Sequence, residues 1–280
     1  MSTTGILERL GELPSLPAVY QRVRDALNDP AGSIECVARI IETDPSMTAR
    51  LLRVANSALY GLPGKVESVL RALTIIGTAG THQLVLTTSV ISVFRDLPLG
   101  AVSMRSFWEH GIACGIAARA VARNLCLSDP ERYYLAGLLH DIGRLPLFIL
   151  EPHTMSRALQ SHREHQGHLW ELEQQLFGLT HAELGAALLD QWGIPGIYRQ
   201  AAALHHGSAI DDHWPLEAAV THVADLIVNS LRLGTSGTRW VPLLADSAWR
   251  QTGLVVTDLP AIAEITISTT RDVTAAFLEP

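Results

Sequence analysis

The sequence predicts an all-α fold, a two-lobed helical bundle. Three observations carry that expectation. Apolar residues recur with a helical period along nearly the whole chain, as Val19, Val23, Ala26 and Leu27 do over 17–28. Helix start and stop residues punctuate the pattern. Strand signals are few: only the β-branched run 262–270 tempts that reading, and 261–264 reads equally well as helix.

Taken in order, Ser33 with Glu35 and Glu42 brackets a second helix, IECVARIIET. Asp44-Pro45 starts a third, SMTARLLRVANSALYG, which ends at Gly61. Pro63-Gly64 breaks the chain, and 66–76 and 78–94 read as helices separated by Gly77. Residues 95–104, RDLPLGAVSM, make a linker, so the lobes meet near residue 100. A helix follows over about 105–126. Ser128-Asp129-Pro130-Glu131 reads as a capping box with proline in the first turn, opening the helix that carries His140-Asp141. Thr180-His181-Ala182-Glu183 is a second capping box, opening 181–192. Pro195 opens a helix that runs to His205-His206 and stops at Gly207; Pro215 opens 216–232. GTSGT at 234–238 reads as a flexible loop, and 240–280 as a tail of short helices. The expected divisions are 1–98, 99–232 and 233–280.

The 280 residues suffice for a substantial core, and 48% apolar content excludes a disordered chain. A net charge of −7, with no Lys/Arg-rich run, argues against direct nucleic-acid binding. Three scattered cysteines, Cys36, Cys114 and Cys126, point to a reducing compartment without a disulfide framework. The start lacks a charged segment followed by an apolar one, and no apolar run approaches about 18 residues. The expectation is a cytoplasmic protein without a membrane segment.

Twelve histidines are an unusual number beside three cysteines. His140 and Asp141 form a polar pair inside the apolar run AGLLHDIGRLPL, with Arg144 one turn on. They either bind a metal or make a buried hydrogen bond steadied by Arg144. His110 shares a stripe with Cys114, Ala117 and Val121, and His181 one with Gly185 and Leu188. Taken singly, such histidines are more often hydrogen-bonded core residues than ligands. His181 is first in its helix, where the dipole favours the neutral, ligating imidazole. His205 and His206 end theirs, where the dipole favours a protonated ring. Asp225 lies off the stripe Leu216, Val220, Val223, Ile227 and Leu231, so periodicity does not place it in the core. His222 is its understudy. His82, His153, His162, His165, His168 and His213 sit in polar surroundings, and SHREHQGH at 161–168 reads as a solvated helix face. As a set, the inward histidines and the His-Asp pair fall on separate helices, as in metal sites built between facing helices.

The ordered series His110, His140-Asp141, His181, His205-His206, Asp225 resembles the HD superfamily of metal-dependent phosphohydrolases, with HDIG and the HH pair similar to its HD-GYP branch. LPSLPAVYQRV at 13–23, IIETDPSMTARLLRVANSALYG at 40–61, LLHDIGRLPL, and HAELGAALLDQWGIP followed by HH resemble the HDOD domain over about residues 10–230. That resemblance implies an N-terminal helical lobe packed on an HD-like lobe, in a signalling or output module. It also implies two metal sites. One would use His110, His140, Asp141 and Asp225; the other would use Asp141 as a bridge, with His181, His205 and His206. Such a donor set implies two divalent transition metals, iron or manganese favoured, with zinc or nickel as alternatives. In an active member, a water activated there attacks phosphorus in line, with Asp141 and Arg144 as the catalytic pair. Arg144 stands where HD-GYP enzymes usually carry lysine, and no GYP follows the HH pair. Two readings therefore stand side by side. One is a regulatory module that meets a signalling protein or a phosphorylated small molecule. The other is a metal-dependent phosphohydrolase or phosphodiesterase. Asn56–Tyr60 is a candidate partner surface, although an interlobe packing seam accounts for it better.

Overall fold

The computed structural model describes residues 3–62, 64–95, 102–164, 167–207 and 214–279. Among them the chain is helical, without strands; the tempting run 262–270 is helix. Residues 96–101 of the expected linker, together with His165 and His213, lie outside the described residues. The chain groups into two compact units, one of Met1–Pro14 and Asp96–Ile267, the other of Ser15–Arg95 and Ser268–Pro280. Two segments fall differently from the expected divisions: the first 14 residues group with the histidine-rich half, and the last 13 with the N-terminal half.

Helix α1 (Thr3–Glu8) opens the chain. The smaller unit is built on α2 (Ala18–Asn28), α3 (Ile34–Glu42), α4 (Pro45–Ala55) and α5 (Val69–Phe94). Ser33 and Asp44 cap α3 and α4 as read, their side chains accepting backbone N–H groups of the first turn. Gly77 interrupts α5 with φ 78°, a left-handed angle open to glycine without a Cβ penalty. By length and composition alone α5 could cross a membrane. Half of its most apolar stretch is buried, and it packs on α2, α3 and α4. Asn56 clamps Val66 from both sides, donating to its carbonyl at 2.8 Å and accepting its N–H at 2.7 Å. That side chain therefore serves packing within its own unit.

In the larger unit, α6 (Met104–Asn124) and α7 (Pro130–Leu139) pack closely with α13 (Leu216–Leu231) around Ala113, Cys114, Ala117, Val121, Tyr133 and Val220. Between them run α8 (Arg144–Leu150), α9 (Pro152–Arg163), α10 (Leu169–Phe177), α11 (His181–Gln191) and α12 (Gly196–Leu204). The capping box at Thr180 forms as expected. The one expected at Ser128 does not: Asp129 caps α7 in a left-handed conformation (φ 50°) without a side-chain hydrogen bond. The tail is not a set of short helices throughout. A short α14 (Asp246–Thr252) is followed by a 20-residue α15 (Leu259–Leu278).

Candidate metal centre

His140 and Asp141 do not lie within a helix. Helix α7 ends at Leu139, His140 is its C-cap, and the chain turns before α8 starts at Arg144. The turn carries both side chains inward. Gly143 lets it approach α11: an added Cβ there would lie 2.0 Å from the His181 carbonyl oxygen and 2.4 Å from the Gly185 nitrogen. His181 is the first residue of α11, and His205 follows the last of α12. His110 and Asp225 come from the middles of α6 and α13. All seven predicted donors converge, and all but the half-buried His206 are buried.

Two donor groups flank Asp141. His110, Cys114, His140 and Asp225 place ligating atoms within 4.8 Å of one another, as do His181, His205 and His206. Asp141 Oδ2 lies 3.2 Å from His140 Nε2 and 3.6 Å from His110 Nε2. Its Oδ1 lies 3.0 Å from His181 Nε2 and 3.7 Å from His205 Nε2. One carboxylate thus divides its oxygens between the groups.

The imidazoles are aimed by their outer nitrogens. His140 Nδ1 donates to the Gly137 carbonyl at 2.7 Å, and His205 Nδ1 to the Ala202 carbonyl at 2.7 Å. His181 Nδ1 donates to Glu173 Oε2 at 2.5 Å. These bonds fix each ring and turn its Nε2 inward, the arrangement found behind metal-ligating histidines. His140 Nε2 and Asp141 Oδ1 are buried, close to their neighbours, yet without an aligned hydrogen bond. Groups so placed fit a cation better than a closed hydrogen-bond network.

Charge follows the same pattern. Burial lowers the His140 imidazole, but the Asp141 and Asp225 carboxylates outweigh it and push the ring up to about 10. Burial raises both carboxyls, yet Arg144 and the histidines hold Asp141 well below the usual range, and His110 and His140 do the same for Asp225. Burial, then neighbouring histidines, depresses His205 and His206.

Four residues that support or extend the centre were missed in the sequence. Glu173 is fully buried; besides the His181 ring, it accepts the His181 backbone N–H at 2.9 Å. Its signal was a charge on the Leu169 stripe of LWELEQQLF. Cys114 Sγ lies 3.6 Å from His110 Nε2 and 3.9 Å from Asp225 Oδ1. Asn229 donates to Asp225 Oδ1 at 2.7 Å. Ser236, in the stretch read as a flexible loop, is buried; it donates to Asp141 Oδ2 at 2.5 Å and accepts from Arg144. Thr235 N anchors that stretch on the Ser106 carbonyl at 3.0 Å.

Other expectations are corrected too. Asp225 is only 6% exposed although off the apolar stripe. His222 is no understudy, since its ring bonds the His205 carbonyl and the Ala245 N–H. His162 is not on a solvated face; it is 1% exposed, because the chain after 237 folds over it.

The HDOD domain matches residues 13–208. This chain belongs to the HDOD family. An HDOD domain protein of unknown function from Geobacter sulfurreducens shares the fold, with a TM-score of 0.79, 24% identity, and 98% of this chain and 97% of that one covered. A proposed phosphohydrolase from Shewanella amazonensis SB2B matches with a TM-score of 0.77 at 22% identity, covering 98% and 97%. A proposed signal transduction protein from Marinobacter aquaeolei VT8 matches with a TM-score of 0.71 at 21% identity, covering 95% and 59%. An uncharacterized protein of Treponema pallidum (strain Nichols) is 23% identical over 223 residues; the match covers 77% of this HDOD chain and 42% of that protein.

Proposed function

We propose that this HDOD protein is a cytoplasmic signal-transduction module whose larger unit holds a dinuclear divalent-metal site. The observation that carries the reading is the Asp141 carboxylate, one oxygen facing each donor group. His110, His140 and Asp225 would hold one ion; His181, His205 and His206 would hold the other. An imidazole-rich set suits iron, manganese, zinc or nickel rather than calcium or magnesium. Bound ions would supply Lewis acidity and an activated water. The chain supplies orientation: Glu173 aims His181, Asn229 holds Asp225, and Arg144 with Ser236 holds Asp141.

Arg144 favours regulation over turnover. It is 2% exposed, and its Nη1 donates to Asp141 at 3.1 Å, to Thr238 at 3.0 Å and to Ser236. A guanidinium so engaged supports Asp141 rather than gripping a phosphate. One observation keeps the phosphohydrolase reading: a cavity of about 200 Å³, lined by Arg144, His206 and Trp170 among others, gives access beside the second donor group. A signalling protein or a phosphorylated small molecule is the proposed partner of the module.

Thermal melts test the site. Mn²⁺ or Fe²⁺ added to the chelator-stripped chain should raise Tm, and Asp141→Ala should abolish the rise. An equal rise in the variant would overturn the assignment. Hydrolysis of bis-p-nitrophenyl phosphate by the metal-loaded chain, lost in Asp141→Ala, would establish the enzyme reading; an inert loaded protein supports the module.

A further inference from the structure

A second cavity, of about 650 Å³, stands behind the metal centre. Its size falls in the range of small-molecule sites. Arg163, Arg232 and Arg239 line it with exposed side chains; among the described residues no carboxylate does. In a chain of net charge −7, three guanidiniums around one hollow concentrate positive charge there.

The wall is held from inside. Buried His162 donates from Nδ1 to the Gly167 carbonyl at 2.9 Å and accepts the Arg239 backbone N–H on Nε2 at 3.0 Å. Its own carbonyl accepts the Trp240 indole N–H at 3.3 Å. The Arg239 guanidinium lies over that indole, 5.2 Å from the ring centre. A buried histidine thereby fixes where one guanidinium and its aromatic support stand.

The cavity shares its walls with the centre. Asn229 lines it and bonds Asp225; Thr238 lines both cavities and bonds Arg144. We propose that this hollow binds a small diphosphate-bearing molecule. The three guanidinium forks match an anion with more than one phosphate group. Binding does not depend on the metal reading, because the arginines lie outside the donor set.

The test is calorimetric titration of the metal-stripped full chain with inorganic pyrophosphate. Saturable binding at one site per chain is expected. The double variant Arg163→Ala/Arg232→Ala, whose far-UV spectrum and melt should match the parent, should bind at least about 10-fold more weakly. Arg239→Ala should weaken binding as well. His140→Asn, at a donor whose ring bonds the Gly137 carbonyl rather than the cavity wall, should bind like the parent. No saturable binding at millimolar pyrophosphate, or parental affinity in the arginine variants, would overturn the site. So would loss confined to His140→Asn, which would place the anion at the metal centre.

Discussion

The metal centre rests on residues whose roles differ in how visibly they are written. His110, His140, His181 and His205 were legible because they sit on apolar stripes or at helix ends. Asp225 was legible only through the family resemblance, because its own helix buries more than the one stripe that periodicity marks. Glu173, Asn229 and Ser236 act through other side chains, so their role exists only once the helices are packed. Cys114 was legible as core but not as a donor. Burial, then Asp225 and Asp141, holds its thiol well above the ordinary range in the metal-free site, while its sulfur lies among His110, His140 and Asp225. A cation there would meet a soft donor. The Co²⁺-loaded chain should therefore show a thiolate-to-metal charge-transfer band that Cys114→Ser lacks; spectra identical in the two would exclude the sulfur. Glu173→Gln should lower metal affinity by about 10–100-fold with the helical content intact, because the His181 ring loses its orienting acceptor. Unchanged affinity would make Glu173 a packing residue.

The same groups set a pH dependence for the metal-free chain. His205 and His206 have depressed values, so the stability they contribute is complete above the ordinary 6.5 and is lost as pH falls below it. Each costs up to about 1.4 kcal/mol per pH unit there. His140 runs the other way. Its value is raised to about 10, so its contribution is complete below 6.5 and is lost as pH rises toward about 10. Melts in the presence of chelator should give a Tm that peaks near neutrality and declines toward about pH 5 and about pH 9. A Tm that climbs steadily across that range would contradict the assigned charges.

At the scale of elements, helix existence and most starts were legible, since Ser33, Asp44 and Thr180 cap as their types require. The end of α7 was not. LLHDIGRL reads as unbroken helix by pattern, yet the chain turns at His140–Gly143 so that two adjacent side chains can both face inward. The turn depends on close approach to α11 at Gly143. Gly143→Ala should destabilise the chain by about 1–3 kcal/mol or more, read by urea unfolding, because backbone rather than a pliable side chain stands in the way. A change within about 0.5 kcal/mol would mean that the contact yields readily. Segment 234–238 is a loop, as its composition says, but its inward course was not legible. Gly, Ser and Thr mark a loop, but composition does not say that the loop is drawn inward by Asp141, Arg144 and His162.

At the scale of the whole chain, the helical class and the HDOD family were readable because local pattern and global fold agree. The course of α15 was not: its β-branched residues lower helix propensity, and packing decides the matter, with Thr266, Thr270 and Thr274 buried along one helical stripe. The central claim is that seven side chains, from five separate stretches of the sequence, share one pair of cations. Elemental analysis of untagged protein reads it most directly. About two transition-metal ions per chain are expected, falling sharply in both His140→Ala and Asp141→Ala. Parent protein that holds no more metal than those variants would contradict it.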